Sequence, residues 1–277
     1  MAERFFCPDP LEVGDYVLTG PEAHHLAHVR RIELGERVVL FNGDGREYPA
    51  EVISVGRRCV VLSILSVEEV ERELPIPIWV ASALPKADRT DFLIEKLTEL
   101  GVSRFIPLLT TRSVVIPREG AVERFERAVI EASKQCGRNR LMAIDPPQRW
   151  EQFVRRTDLP EFRVMLHPNT SLPLLAGVTT AGGVLAIGPE GGFTAEEITA
   201  ARENGWQLMN LGPRTLRIET AALAAVARWS DPLRLNLGTT GAPSGGSSST
   251  AGASLSAFGD FSNAGQDAAA HSGRESG

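Results

Sequence analysis

Cysteine and long apolar runs are what this chain most conspicuously lacks. Its three cysteines, Cys7, Cys59 and Cys136, are far apart and odd in number among 277 residues, which excludes a disulfide framework and a paired-cysteine metal site. No apolar run approaches the roughly 20 residues of a membrane helix, and the N-terminal residues lack a signal-peptide core. We therefore expect a cytoplasmic protein with reduced thiols and no membrane association.

Several catalytic and binding motifs are also missing. The chain has neither GxxxxGK[ST] nor GxGxxG, so nucleoside triphosphates and dinucleotides are poor candidates as ligands. It has no GxSxG nucleophile elbow and no HExxH zinc motif. His24 and His28 have the i, i+4 spacing of a metal pair, but no further ligands accompany them, so we expect no metal site.

The charge is unevenly distributed. The whole chain carries −6, whereas residues 104–140 contain eight basic and four acidic residues. Arginine outnumbers lysine 26 to 3, and arginine suits phosphate recognition. A local basic surface for phosphates and a solvated helix face of mixed charge are both compatible with this pattern.

The pattern of apolar residues predicts two domains and a tail. Residues 1–74 read as short strands with tight turns around one helix at 21–31, which indicates a small β-barrel or sandwich, and Pro75 and Pro77 mark its boundary. Residues 75–235 alternate strands with helices, which indicates an α/β domain with a mainly parallel sheet. Residues 236–277 are rich in Gly, Ser, Ala and Thr, and we expect a disordered tail. The predicted strands are 37–41, 51–55, 59–65, 78–84, 102–109, 162–167, 183–188 and 206–211, and the other predicted helices are 88–100, 122–136, 195–204 and 220–229.

Two glycine-rich loops follow predicted strands of the second domain. One is IGPEGGF at residues 187–193, and its helix begins with the capping-box spacing of Thr194 and Glu197. The other is LGPRTLRIET at residues 211–220. Because ligands bind beyond the carboxyl ends of strands in open α/β sheets, we expect the two loops to form one pocket. Either loop taken alone could be no more than a tight turn.

Several segments of the sequence resemble a known protein family. The segments ALPKADRTDFLIEKLTELGV (83–102), EASKQCGRNR (131–140), AIGPEGGF (186–193) and LGPRTLRIETAAL (211–223) closely resemble the RsmE family of 16S ribosomal RNA uracil-N3 methyltransferases, in the SPOUT superfamily. RFF at 4–6 and HHLAHVRR at 24–31 resemble that family's PUA-like RNA-binding barrel. One departure is Cys136, where many relatives have serine.

The resemblance implies a trefoil-knotted SPOUT methyltransferase domain preceded by a small PUA-like β-barrel. It implies a homodimer that uses S-adenosylmethionine to methylate N3 of a uridine in small-subunit ribosomal RNA, within the assembled 30S subunit. The cofactor-binding residues it suggests are Leu166, Gly188, Glu190, Gly191, Gly192, Leu211, Gly212, Arg214 and Leu216. For RNA binding it suggests Arg4, Arg30 and Arg31.

For catalysis, an arginine that hydrogen-bonds a uracil carbonyl would stabilise the imide anion as N3 loses its proton. Arg138 and Arg217 are the candidates, with Arg214 a further possibility, and Glu219 could accept the proton or orient an arginine. Each could equally form a structural ion pair at a helix end. Two alternative functions remain at this point: another SPOUT RNA methyltransferase with a different base or RNA, and a catalytically silent RNA-binding ribosome-assembly protein.

Overall fold

The computed structural model of the chain describes residues 3–86, 88–172 and 182–230. The predicted tail at 236–277 lies outside these residues. Two sheets are present, and contacts between them join the two parts into one compact unit.

The N-terminal sheet has six strands. The elements are β1 (Glu3–Phe6), β2 (Gly14–Thr19), α1 (Gly20–His24), the π-turn (His25–Val29), β3 (Arg37–Phe41), β4 (Arg46–Val55), β5 (Cys59–Ile64) and β6 (Glu68–Glu69). The strand order is β1-β3-β4-β5-β2, in which β1 runs parallel to β3 and the remaining pairs are antiparallel, while β6 pairs with β4. The predicted helix is present as the short α1, which continues into a π-helical turn. The turn ends before Arg31, which has a positive φ of 53°.

The β3–β4 hairpin shows how the sequence shapes this part. Gly43 and Gly45 have φ values of 92° and 102°, a backbone conformation that is unfavourable for residues with a β-carbon. Between them, Asp44 accepts a hydrogen bond from the backbone of Arg46 at 2.8 Å and one from the Tyr48 hydroxyl at 2.6 Å. The turn is therefore held by its own side chains, and the inward-facing residues of the strands form one apolar core.

The second sheet has seven strands, and every pair is parallel, as the alternation of strands and helices predicts. The elements are β7 (Ile78–Ser82), α2 (Asp88–Glu99), β8 (Arg104–Leu109), α3 (Ala121–Cys136), β9 (Ala143–Ile144), β10 (Gln148–Arg149), α4 (Trp150–Phe153), β11 (Arg163–Leu166), β12 (Gly183–Ile187), α5 (Ala195–Glu203), β13 (Gln207–Met209) and α6 (Ile218–Trp229). The strand order is β10-β8-β7-β12-β11-β13, with β9 beside β8.

Apolar cores cover both faces of this sheet. One face packs against α2, α3 and α6 through residues such as Leu93, Phe125 and Val226. The other face packs against α4 and α5, where Trp150 and Trp206 lie together with a ring-centroid distance of 5.6 Å. Because β12 is buried on both faces, it consists of apolar or small residues throughout.

Candidate functional site

A cavity of about 400 Å³ opens at the carboxyl ends of β11, β12 and β13. This is the end of a parallel sheet at which ligands are expected, beside the point where the chain crosses from one half of the sheet to the other. The volume is in the range of small-molecule sites. Its walls are the segments 166–169, 187–193 and 209–216, together with Arg112, Ile218 and Ala221.

The first glycine-rich loop forms one wall and is tightly constrained. A β-carbon on Gly188 would meet the ring of Phe193 at 2.9 Å, and Gly192 has a φ of 68°. The loop ends in a complete capping box, in which Thr194 accepts from the backbone of Glu197 and the Glu197 carboxylate accepts from that of Thr194. The predicted helix start is confirmed, and it fixes the loop against the sheet.

The second glycine-rich loop forms the opposite wall. Gly212 has a φ of 109° and donates its backbone N–H to the side chain of Asn210 at 2.9 Å. The backbone N–H of Asn210 donates in turn to the carbonyl of Leu172 at 2.9 Å. The loop that follows β13 is therefore tied to the segment that follows β11.

His167 supplies a polar group to the third wall. Its Nδ1 accepts a hydrogen bond from the backbone of Asn169 at 3.2 Å, so a neutral ring carries its proton on Nε2. Burial lowers the pKa of His167, and the positive charge of Arg202 contributes in the same direction. The imidazole is therefore neutral near pH 7 and presents an N–H donor.

All nine residues predicted to bind a cofactor line this cavity. Glycines at four of these positions, 188, 191, 192 and 212, leave backbone groups accessible, while Leu166, Leu211 and Leu216 supply apolar surface. Arg112, which was not among the predicted site residues, comes from the loop after β8 and lines the same cavity. No local pattern marks that arginine, because only the sheet order brings its loop to the end of β12.

The structure places Arg138, which was predicted to be catalytic, away from the cavity. Its side chain is buried at the end of α3 and pairs with the Glu73 carboxylate through Nε and Nη2. Its Nη1 donates to the carbonyls of Thr98 and Val102, at 2.9 and 3.0 Å. A guanidinium with these partners has a structural role, and it does not line the cavity.

The other two catalytic candidates lie at the start of α6. Arg217 is the exposed residue before the helix, and Glu219 is buried in the first turn. Neither lines the cavity, although their neighbours Leu216 and Ile218 do. The Glu219 carboxylate lies 3.7 Å from the guanidinium of Arg89, so its observed partner is an arginine of α2.

Arg4, which was predicted to bind RNA, is engaged in contacts within the protein. Its guanidinium pairs with Glu47 and donates to the side chain of Asn139, and its side chain is only 9% exposed. Arg4 therefore joins the N-terminal sheet to the end of α3 and is not accessible to a phosphate. Arg30 and Arg31 are exposed, and Arg30 pairs with Glu3.

In the basic segment 104–140, half of the positively charged side chains are paired with carboxylates. Arg104, Arg124, Lys134 and Arg138 form ion pairs with carboxylates of other segments. The mixed-charge interpretation of this segment therefore fits better than a continuous basic surface.

In the part of the chain that the structure describes, no three His, Cys, Asp or Glu side chains are grouped as metal ligands. None of the helices in that part is both long and apolar enough to cross a membrane.

The parallel sheet with its glycine-walled cavity follows a β-rich N-terminal part, and two family models match these two parts of the chain. A family model described as an RNA methyltransferase domain matches residues 72–230, more than half of the chain. Another, described as an RNA methyltransferase PUA domain, matches residues 18–65. The N-terminal part is thus a PUA-like domain, and the chain is an RNA methyltransferase.

The particular family follows from individual relatives. The chain is 34% identical to the ribosomal RNA small subunit methyltransferase E of Synechocystis sp., over 80% of this chain and 74% of that protein. It is 31% identical to the Bacillus subtilis protein of the same name, over 78% and 90%. The chain belongs to the ribosomal RNA small subunit methyltransferase E family.

Solved structures agree with this assignment. A methyltransferase of Legionella pneumophila with bound SAM is 34% identical, with a TM-score of 0.76 over 82% of this chain and 96% of that one. The Neisseria gonorrhoeae ribosomal RNA small subunit methyltransferase E, bound to S-adenosyl methionine, is 30% identical, with a TM-score of 0.77 and the same coverage.

Proposed function

We propose that this chain transfers a methyl group from S-adenosylmethionine to N3 of a uridine in 16S ribosomal RNA. The family supports the reaction and the RNA. The observation that carries the proposal is the cavity at the carboxyl ends of β11, β12 and β13, where the nine predicted cofactor residues converge.

The lining of the cavity fits the proposed cofactor. S-adenosylmethionine combines an adenosine without phosphates, a methionine moiety and a sulfonium cation. Leucine side chains offer apolar surface to the adenine, and accessible glycine backbones offer hydrogen bonds to its edge and to the ribose. Glu190 could hold the ammonium group, and the neutral His167 offers an N–H donor without adding to the positive charge of Arg112 and Arg214.

The chemistry requires no metal or redox group. When bound, S-adenosylmethionine would supply an electrophilic methyl group. The protein must position the uracil, and N3 must lose its proton to become nucleophilic. Arg217 and Glu219 remain candidates for positioning the uracil and for accepting the N3 proton, because they flank residues that line the cavity.

We also propose the finer features of the fold and assembly that the family resemblance implies. The family resemblance implies a trefoil knot in the second domain, and hydrogen bonds from Asn210 to Leu172 and from Thr170 to Leu208 tie the segment after β11 to the end of β13. Closure of the N-terminal sheet would make it a barrel, with Arg30 and Arg31 exposed to RNA. Exposed apolar residues on α2 and after β8 offer a surface for a homodimer: Phe92, Val114 and Ile116.

The decisive experiment uses the purified chain with S-adenosylmethionine and, separately, naked 16S RNA or 30S subunits in the cytoplasmic salt range. Digestion to nucleosides and mass spectrometry should show 3-methyluridine, with 30S subunits the better substrate. A methylated base of another kind would favour a different RNA methyltransferase. Calorimetric binding of S-adenosylmethionine without any methylated product would indicate a silent RNA-binding protein.

A further inference from the structure

The guanidinium of Arg112 is held at the edge of the cavity. Arg112 lies in the loop after β8, and its Nη1 donates to the carbonyl of Gly191 at 2.7 Å. The Cδ and Cβ atoms of Arg112 pack 3.3 and 3.4 Å from the position where a β-carbon would stand on Gly191. One donor is thereby used, and the remaining N–H groups of the fork are left for a ligand.

The backbone that carries Arg112 is fixed on both sides. The backbone N–H of Thr110 donates to the Ser113 hydroxyl at 3.0 Å, and that of Ser113 returns to the Thr110 carbonyl at 3.1 Å. The backbone and hydroxyl of Thr111 donate to the buried carboxylate of Glu197, at 2.8 and 3.1 Å. The carboxylate that caps α5 thus also positions this loop, so the arginine is preorganised.

Within residues 3–86, 88–172 and 182–230, Arg112 forms no ion pair with a carboxylate. The exposed Glu196 lies nearby: backbone hydrogen bonding and Thr194 lower the pKa of its carboxyl group, and the charge of Arg112 contributes in the same direction. The nearby Glu197 is satisfied by Thr111 and Thr194, which are neutral donors. This distinguishes Arg112 from Arg138, which is neutralised by Glu73. Arg214 also lines the cavity, but the same ranges show no hydrogen bond that holds its side chain.

We propose that Arg112 is the catalytic residue that binds the target uracil and stabilises its imide anion. The inference rests on the methyl transfer to uridine N3 proposed above. The N3–H bond breaks, the proton passes to solvent water and the electron pair remains on the ring. That pair forms the bond to the methyl carbon as the methyl–sulfur bond breaks, and sulfur keeps the electrons of that bond. A fixed guanidinium that is not engaged in an ion pair, placed beside the ring carbonyls, lowers the free energy of the anion without reorganisation.

The test compares Arg112→Lys and Arg112→Met with Arg118→Met. Arg118 is an exposed arginine of the same connecting segment that does not line the cavity. Single-turnover methylation of small subunits is measured across pH with saturating cofactor. S-adenosylmethionine affinity is measured by calorimetry and RNA affinity by filter binding.

We expect Arg112→Met to lower the single-turnover rate about 100-fold, the scale of a lost oxyanion donor. The pH of half-maximal rate should rise by about one unit or more, because a nearby cation lowers the pKa of the N3 proton. Arg112→Lys should recover part of both effects, with cofactor and RNA affinities within about twofold of wild type. The Arg118→Met variant should match wild type throughout.

Three results would overturn the inference. A large loss of cofactor affinity with a normal rate at saturation would assign Arg112 to the cofactor carboxylate. A loss confined to RNA affinity, with the rate and pH profile kept, would assign it to a phosphate. Wild-type behaviour in both variants would remove it from the site. If the wild-type chain itself makes no 3-methyluridine, the proposed function is wrong and the inference is wrong with it. The three results above are distinguishable from this one, because in each of them the wild-type chain still makes 3-methyluridine.

Discussion

Replacing Arg138 by methionine should destabilise the folded chain without impairing chemistry. The substitution leaves the Glu73 carboxylate without its bidentate partner and removes one donor each from the buried carbonyls of Thr98 and Val102. Breaking a buried ion pair by removing one partner costs about 3–5 kcal/mol. Because Glu73 retains 18% side-chain exposure, we expect a value near the lower end, about 3 kcal/mol.

This loss is measurable as a shift in unfolding. For a domain of this size, about 3 kcal/mol corresponds to a decrease in Tm of roughly 6–12 °C. Chemical denaturation gives the free energy directly, and Arg127→Met, an exposed arginine of the same helix, is the matched control with a change below about 0.5 kcal/mol. The double variant with Glu73→Leu should recover part of the stability, since it removes the unpaired carboxylate.

The kinetic measurement separates structure from catalysis. At a temperature well below both midpoints, the Arg138→Met variant should retain a single-turnover rate within a few-fold of wild type. Unchanged stability together with a rate at least 100-fold lower would refute our assignment and return Arg138 to the catalytic group.

Three further predictions concern the cavity and the junction between the two sheets. Gly191→Val should weaken S-adenosylmethionine binding at least tenfold in calorimetry, because the branched side chain would occupy space at the cavity wall that the glycine leaves open; unaltered affinity would remove this loop from the cofactor site. Burial acts to raise the pKa of Glu47, but hydrogen bonds from Arg72 and Arg4 outweigh it and hold that pKa below its usual 4.5. The contribution of the ionised Glu47 carboxylate to the free energy of unfolding is therefore fully present above about pH 4.5, and it is lost as the pH falls through the lowered pKa. Glu47→Gln should flatten that part of the acid-unfolding curve, and an unchanged slope would contradict the pairing. A chain that begins at Arg72 and so keeps Glu73 should retain cofactor affinity and lose RNA methylation; full methylation would show that the PUA-like domain is not needed for RNA.

Much of the fold was predictable because its signals are local. Apolar periodicity located the larger helices and most strands, since each element buries one face or one stripe. The capping box at Thr194 and the turn at Asn42 to Gly45 were readable because their hydrogen bonds join residues two to four positions apart. The strands β1 and β2 were not predicted, and the two-residue strands β6, β9 and β10 were missed because so short a segment has no period.

The sequence by itself determined the alternation of strands and helices, the two glycine-rich loops and, through them, the residues of the cavity. Only the tertiary structure decided the roles of the arginines. Arg138 meets Glu73 from 65 residues away, and Arg4 meets Glu47 from 43. Arg112 meets Gly191 from 79, because the sheet order sets β8 two strands from β12. A guanidinium has the same charge and donors in a buried ion pair as in a catalytic site, so the partner that the fold brings to it decides its function.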